Sequence, residues 1–282
     1  MAHRTQFNDS HQREFSKLYS SLCSKHGKWE VWSDFVMMSA ISISNAVDRQ
    51  HMEDRQNKFC QIEKKYSKEE MERLAGMFTV TVNALADKPD QDFLGDLFMA
   101  LGLSNEHNGQ FFSPYHICHF MALVTYGDDL NSKAEKDGWV SIHEPACGSG
   151  AMLIAFANVC RKKGLNYQTS VLFTAQDIDL VAGCMSYIQM SLLGCPGYVK
   201  IGDSLASPIM SVDSRRLLPI PDENIWYTPL YFLEEWDIRR KICWFGMMLD
   251  AIGKPKPSPP EAVEVESTIE LRTTETGQLS LL

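Results

Sequence analysis

The chain has 282 residues, of which 44% are hydrophobic and 22% are charged, and its formal net charge is −9. This length and apolar content suffice for one substantial domain and a smaller region. No stretch approaches the roughly 18 apolar residues of a membrane span, and residues 1–10 are polar, unlike a secretory signal peptide. The eight cysteines contain no Cys-x-x-Cys pair, which favours reduced thiols and a cytoplasmic location.

Residues 14–86 carry apolar side chains at helical spacing and therefore predict an N-terminal helical region. Ser67 and Glu70 match a capping box, which opens the last helix of this region. Basic and acidic side chains interleave before that box, and this mixture indicates a solvated helix face rather than a nucleic-acid patch. A further helix follows a break at residues 87–90, and another covers residues 115–126.

Residues 139–205 read as a nucleotide-binding unit of strands and helices. A β-prone run ends at Glu144, a glycine turn with Gly148 and Gly150 follows, and an apolar helix comes next. Glycine permits the tight turn, and the first amides of the helix then face a ligand. Two more predicted strands end at Asp177 and Asp203. Because parallel strands place such acids at one edge of the sheet, we expect a site for an adenosine-bearing ligand.

The motifs of this unit resemble those of N-6 adenine-specific DNA methyltransferases, especially the modification subunits of type I restriction systems. The matching segments are Asp92–Phe98, Gly109–Pro114, Glu144–Gly150, Ala175–Asp179 and Gly202–Leu205. They follow the family's order and spacing over residues 90–205. The resemblance implies an α/β fold with a Rossmann-like S-adenosylmethionine-dependent methyltransferase core, which an N-terminal helical region precedes.

The resemblance also assigns residues to the S-adenosylmethionine site. These are Phe112, Ser113, Pro114, Glu144, Ala146, Gly148, Gly150, Asp177 and Asp203. In this assignment Glu144 and the two glycines frame the methionine and ribose, Asp177 accepts from the ribose hydroxyls and Asp203 holds the adenine amine. Ser113 replaces the family's threonine and keeps the hydroxyl.

The base-binding motif departs from the family pattern. The family places Asn/Asp-Pro-Pro-Phe/Tyr after its fourth strand, where it accepts hydrogen bonds from the exocyclic amine and stacks on the flipped base. The nearest match predicts Thr228, Pro229 and Tyr231 as the catalytic residues, with Leu230 in place of the second proline. A loop with buried aromatic side chains is an equally good interpretation. One helix, at residues 236–252, follows, so we expect a truncated sheet.

The sequence lacks residues that a metal site and an esterase active site would each need. His116, Cys118 and His119 have no fourth ligand at suitable spacing, so we expect a structural role for them and no metal. Gly202-Asp203-Ser204-Leu205 resembles the nucleophile block of an esterase family, which needs a histidine further along the chain. All eight histidines lie at or before His143, which excludes that reading.

The end of the chain changes in character. Residues 253–276 are proline-rich and then acidic, which predicts a disordered tail. We therefore divide the chain into a helical region (1–108), a methyltransferase-like domain (109–252) and a tail (253–282). The last five residues resemble a bacterial sliding-clamp-binding peptide, which uses a glutamine and apolar side chains to fill a pocket. They are Gln278, Leu279, Ser280, Leu281 and Leu282.

The resemblance implies transfer of a methyl group from S-adenosylmethionine to adenine N6 in DNA. The alternative is a non-catalytic S-adenosylmethionine-binding subunit or regulator that acts with a DNA-binding partner. Methylation of a protein or a small molecule is a third interpretation. A net charge of −9 disfavours duplex binding by the chain as a whole, so DNA binding needs either a local basic face or a partner, such as a specificity subunit.

Overall fold

The computed structural model describes residues 9–104, 112–253, 271–273 and 279–281. Two compact units divide the chain, one up to Lys241 and one from Ile242 onward. Within the described ranges, no helix has both the length and the apolar character needed to cross a bilayer.

The N-terminal region is helical, as predicted. Its helices are α1 (Ser10–Leu22), α2 (Lys28–Asn45), α3 (Met52–Glu63) and α4 (Lys68–Asp87). The predicted capping box is present: the Ser67 hydroxyl accepts from the Glu70 amide, and the Glu70 carboxylate accepts from the Ser67 amide. Apolar side chains of α1, α2 and α4 belong to the same hydrophobic core as those of the sheet, so the helical region packs directly on the methyltransferase-like part.

The rest of the first unit alternates helices and strands. Its elements are α5 (Phe93–Ala100), α6 (Tyr115–Tyr126), α7 (Leu130–Asp137), β1 (Val140–Glu144), α8 (Ala151–Lys162), α9 (Tyr167–Ser170), β2 (Val171–Asp177), α10 (Leu180–Leu192), β3 (Gly197–Ile201), β4 (Ile225–Tyr227), a 3-10 turn (Pro229–Phe232) and α11 (Glu234–Gly253), whose last turns belong to the second unit. The predicted strands and the helices that connect them are present, and the α/β fold class is confirmed.

The sheet has the order β1-β2-β3-β4, with β1, β2 and β3 parallel. One face carries Ile142, Phe173 and Val199 and packs against helices, where the packing order is α2, α10, α8, α6. Residues 202–224 cover the opposite face, which carries apolar and polar side chains that are all buried: Leu172, Tyr198, Thr174, Gln176 and Lys200. There the Gln176 side chain donates to the carbonyl oxygens of Gly202 and Ser207.

The sheet is truncated in the described part of the chain. β4 pairs antiparallel with β3, so β1 stays at the edge of the sheet. A doubly wound sheet of order 3-2-1-4-5-6 would place a further parallel strand next to β1. Here the long connection at residues 202–224 reverses the chain direction instead.

A buried arginine joins the helical region to this sheet. Arg55 of α3 donates to Asp48 Oδ2 (2.9 Å) and to the carbonyl oxygen of Ile225 (2.7 Å). Its guanidinium also lies 3.9 Å from the centre of the Trp226 ring. Arg55 is one of the interleaved charges before the capping box that predicted a solvated helix face, but only 5% of it is exposed, because β4 covers α3 at this point.

The second unit contains an antiparallel pair of short strands, β5 (Leu271–Thr273) and β6 (Leu279–Leu281). This pairing differs from the disordered tail that the composition predicts. The central part of the predicted clamp-binding peptide is therefore a strand, and Gln278 and Leu282 lie outside the described residues. The domain boundaries at 108/109 and 252/253 stay predictions.

We expect Arg55→Met to lower the free energy of unfolding by about 3 kcal/mol, because the buried Asp48 carboxylate loses the guanidinium and keeps only the His51 ring as a partner. Urea denaturation followed by tryptophan fluorescence measures the change. Lys58→Ala, at an exposed position of the same helix, is the control and should change stability by less than about 0.5 kcal/mol. Equal effects of the two substitutions would contradict the buried role of Arg55.

Candidate functional site

The glycine turn after β1 has the backbone that its sequence requires. Gly148 and Gly150 have φ of +53° and +94°, values that L side chains rarely adopt. A Cβ at Gly150 would lie 2.8 Å from Ser186 Oγ of α10, so the turn also packs closely. The Gly148 amide donates to Asp177 Oδ2 at 2.7 Å, which fixes the turn against the end of β2.

Two adjoining cavities lie at the carboxyl ends of the parallel strands. The larger has a volume of about 380 Å³, and six of the predicted cofactor residues line it: Phe112, Ser113, Glu144, Ala146, Gly148 and Asp177. The smaller, of about 170 Å³, shares Ala146 and Asp177 with it and adds Asp203. Pro114 and Gly150 precede the first residues of α6 and α8 and position these walls. The tertiary structure therefore brings the predicted group together in one cleft.

The three strand-end acids have different electrostatic environments. Burial raises the pKa of Glu144 and of Asp177 above the ordinary carboxyl value. Asp203 is exposed, and the amides of Leu205 and Ala206 donate to its carboxylate and lower its pKa. The cleft thus has two acids that protonate readily as the pH falls and one that resists protonation.

A buried network of polar side chains binds the glycine turn on the side away from the cleft. Asp92, at the start of α5, is 3% exposed. Its carboxylate accepts from the Gly95 amide (3.0 Å), from Gln189 Nε2 (2.7 Å) and from the Ser149 hydroxyl of the glycine turn. Gln189 also donates to the Ser149 carbonyl oxygen and accepts from the Leu94 amide. We call Asp92, Ser149 and Gln189 the Asp92 network.

Sequence analysis missed Gln189, which carries this network on the α10 side. Its amide group is fully buried in a helix whose neighbouring residues are mostly apolar. A glutamine within such an apolar run is the signal that would have identified it, because a buried amide must find hydrogen-bonding partners.

The structure does not place the predicted catalytic residues at the cleft. The Thr228 hydroxyl is buried, where it donates to the Cys195 carbonyl oxygen and accepts from the Gly197 amide. Gly197 begins β3, so Thr228 lies about 13 Å along the strand from the end that carries the acids. Tyr231 is also buried, and its hydroxyl donates to the Leu217 carbonyl oxygen.

The antiparallel direction of β4 relative to β3 explains why these residues lie away from the cleft. An antiparallel strand ends where its parallel neighbour begins, so the segment after Tyr227 emerges at the amino end of the sheet. There Pro229 begins the 3-10 turn. Thr228, Pro229 and Tyr231 therefore act as a buried structural corner in this geometry, which agrees with the loop interpretation left open above.

The histidines of α6 do not form a metal site in the described part of the chain. His116 is exposed, Cys118 is buried against the core and His119 lies 3.3 Å from the Lys162 ammonium. No cluster of three or more metal-ligating side chains occurs among the described residues.

An α/β sheet with a glycine turn and acids at successive strand ends has the arrangement of a Rossmann-like nucleotide-binding core. Residues 90–218 match the family model of N-6 DNA methylases. The resemblance predicted from the motifs is therefore confirmed for this segment, and it supports a methyltransferase. A comparison with curated proteins finds no match.

Two solved structures are similar to this chain at low identity. One is a putative class I S-adenosylmethionine-dependent methyltransferase from Listeria monocytogenes, with 13% identity, a TM-score of 0.39 and coverage of 83% of this chain and 79% of that one. The other is a type I restriction-modification methyltransferase subunit from Streptococcus thermophilus, with 14% identity, a TM-score of 0.35 and coverage of 72% and 60%. No functional argument rests on TM-scores this low. Neither comparison supports a sliding-clamp partner for residues 278–282.

We expect Gly95→Ala to lower the free energy of unfolding by about 2–3 kcal/mol, because a Cβ there would disrupt the Asp92 network. The added carbon would lie 1.9 Å from Asp92 Oδ2 and 2.6 Å from Ser149 Oγ. Thermal and urea unfolding measure the loss. Gly76→Ala is the matched control, also inside a helix, because its Cβ would meet only the mobile end of the Leu18 side chain at 3.2 Å. A loss of stability that is the same at both positions would contradict this role.

Proposed function

We propose that the cleft binds S-adenosylmethionine. The observation that carries this proposal is the convergence of Gly148, Glu144, Asp177 and Asp203 on two adjoining cavities inside the segment that matches N-6 DNA methylases. The amides that begin α8 favour the carboxylate of the methionine part, since a helix N-terminus carries partial positive charge. Asp177 accepts from the ribose hydroxyls, and Asp203 accepts from the adenine amine. Phe112 packs on the turn side of the cleft.

We further propose that the reaction served is methylation of adenine N6 in DNA, with this chain as its cofactor-binding component. Bound S-adenosylmethionine supplies an electrophilic methyl group, and the chain's part is to orient it for in-line attack. Two observations favour a partner for the DNA side. Thr228, which the resemblance assigns to the amine of the target adenine, is buried at the other end of β3, and the net charge is −9. The partner would supply the amine acceptor and the phosphate contacts.

A self-sufficient adenine methyltransferase is the second candidate, because the family match covers the cofactor motifs of active enzymes of this type. In that case other groups near the cleft, and not Thr228 or Tyr231, must accept hydrogen bonds from the adenine amine. Activity of the purified chain on DNA therefore separates the two candidates.

Binding of S-adenosylmethionine should weaken as the pH falls. Because burial raises the pKa of Glu144 and Asp177, these carboxylates gain protons while an ordinary carboxyl is still ionised, and they then lose acceptor capacity. Calorimetric titration over a series of falling pH values should show that affinity is lost at a higher pH than the titration of an ordinary carboxyl, with a pKa near 4, would produce.

Two amide substitutions test which acids cause this loss. Asp177→Asn should lower the affinity at pH 7 by about tenfold and reduce the pH dependence. Asp203→Asn should weaken binding by a similar factor at every pH in the range, since the pKa of Asp203 is lowered. An affinity that is independent of pH, or unchanged in both variants, would contradict the assignment.

Sequencing that detects N6-methyladenine tests the reaction itself, in host DNA with and without the gene. We expect a methylated motif that disappears with Asp177→Ala and persists with Tyr231→Phe, because the Tyr231 hydroxyl only donates to the backbone of residues 202–224. The purified chain should bind S-adenosylmethionine but methylate DNA only when cell extract is added. Activity of the pure chain would favour the second candidate, and no methylation in either setting would contradict both.

A further inference from the structure

The backbone of Arg216 is strained. Its φ is +62°, and it is the one non-glycine residue with a positive φ in the described structure. The turn is imposed by Asp213, whose carboxylate accepts from the amides of Arg215, Leu217 and Leu218. Glycine would adopt the same backbone without strain. Strained residues of this kind cluster at sites where a side chain contacts a ligand, so the Arg216 side chain is a candidate for such a contact.

The Arg216 guanidinium has no hydrogen bond and no ion pair within the described part of the chain, where only its main chain is bonded. Its carbonyl oxygen accepts from the Tyr198 hydroxyl on the sheet. The guanidinium lies close to His143 of β1, because burial and then the Arg216 charge lower the pKa of that imidazole. The His143 ring is therefore neutral near pH 7. A half-buried cation thus lies beside β1 without a paired carboxylate.

The edge of β1 beside this cation is open in the described structure, where β1 pairs with β2 alone. The Thr174 hydroxyl donates to the Ile142 carbonyl oxygen, so the backbone of Ile142 faces β2. By strand alternation, the amides of Ser141 and His143 face the open edge. The same alternation places the Ser141 hydroxyl on the face of the sheet that carries His143, and Ser141 is exposed. The edge therefore presents amides and a hydroxyl to a ligand.

Arg215 extends the positive charge along this edge. Its Nη1 donates to the Trp139 carbonyl oxygen at 3.0 Å, and its guanidinium lies 3.7 Å from the centre of the Trp139 ring. Trp139 precedes β1, and His143 comes four residues later, which is about 13 Å of extended chain. Cations near both ends of an open edge, with free amides between them, suit an extended polyanion better than a single small anion.

We propose that Arg215, Arg216, Ser141 and His143, here called the basic edge, bind phosphates of the DNA strand whose adenine enters the cleft. Guanidinium groups and main-chain amides are common donors to DNA phosphates. The residue after His143 is Glu144, which lines the cleft, so a strand held along the basic edge passes the cofactor site. In a doubly wound sheet the ligand crevice also opens on this side of the first strand. This inference rests on the proposed function.

The basic edge reconciles a DNA substrate with an acidic chain. A net charge of −9 repels DNA in general, whereas a local strip of cations next to the cleft attracts a phosphate backbone at the place where it is needed. The acid of the same turn, Asp213, is already bonded by three amides and by the Ser211 hydroxyl. The contacts of the basic edge are this chain's own and add to those of a partner.

Fluorescence anisotropy of a labelled DNA duplex of about 20 base pairs tests the proposal, with the full chain titrated at about 20 mM salt. We expect saturable binding in the micromolar range. Arg216→Gly should weaken it about tenfold and reduce the slope of log K against log salt by about one, because one phosphate contact is lost. Since glycine fits a φ of +62° without strain, this variant should keep its fold and its affinity for S-adenosylmethionine.

Arg49→Gly is the matched control, because it removes the same charge from an exposed loop before α3, and it should bind DNA like the parent. Ser141→Glu tests the strand itself: a carboxylate at the open edge should repel the phosphates and weaken binding at least about tenfold. Absence of saturable binding by the parent, parent-like affinity of Arg216→Gly or of Ser141→Glu, or equal losses in Arg216→Gly and Arg49→Gly would each overturn the proposal.

Calorimetric titration of the parent with S-adenosylmethionine keeps the two proposals apart. A parent chain that does not bind S-adenosylmethionine would contradict the proposed function, while the DNA affinities of the variants would still decide on the basic edge. A parent chain that binds S-adenosylmethionine but not DNA would overturn the basic edge alone.

Discussion

The candidate site depends on one constraint: the carboxylate of Asp92 is buried and must be satisfied. A buried carboxylate without partners is costly, so three separate segments converge on it. The start of α5 contributes the Gly95 amide, the glycine turn contributes Ser149 and α10 contributes Gln189. These bonds hold the glycine turn between α5 and α10. In this position the Gly148 amide donates to the Asp177 carboxylate. The shape of the cleft therefore follows from a network outside it.

The second organising feature, within the described residues, is that helices α2, α10, α8 and α6 pack on one face of the sheet while residues 202–224 cover the other. Parallel sheets with helices on both faces have strands that are apolar throughout, whereas β2 and β3 place polar side chains on their second face. Gln176 and Lys200 bond residues 202–224 there, and Lys200 also pairs with Asp222 at 2.8 Å. A connection held in this way returns the chain along β3 in the opposite direction. That return moves the residues expected to bind the base away from the cleft.

β1 contributes to the cofactor cleft through its last residue. Its last residue, Glu144, lies in the cofactor cleft, while the backbone of Ser141 and His143 faces outward. The helical region is joined to the opposite edge of the sheet, where Arg55 connects α3 to β4 through Ile225 and Trp226.

The sequence by itself determined the features that arise from neighbouring residues. The capping box at Ser67, the turn at Gly148 and Gly150, and the acids at the ends of β1, β2 and β3 all follow from local backbone preferences and short motifs. Their order along the chain sufficed to predict the α/β fold and the cofactor cleft, because parallel strands bring their carboxyl ends together.

Only the tertiary structure decided the features that join distant segments. The direction of β4, the burial of Arg55, the partnership of Gln189 with Asp92 and the exposure of the outer face of α6 each depend on which elements pack together. A strand has the same alternation in either direction, and an apolar helix face reads alike whether it is covered or not. Local patterns therefore predicted Thr228 and Tyr231 at the cleft, and long-range pairing placed them elsewhere.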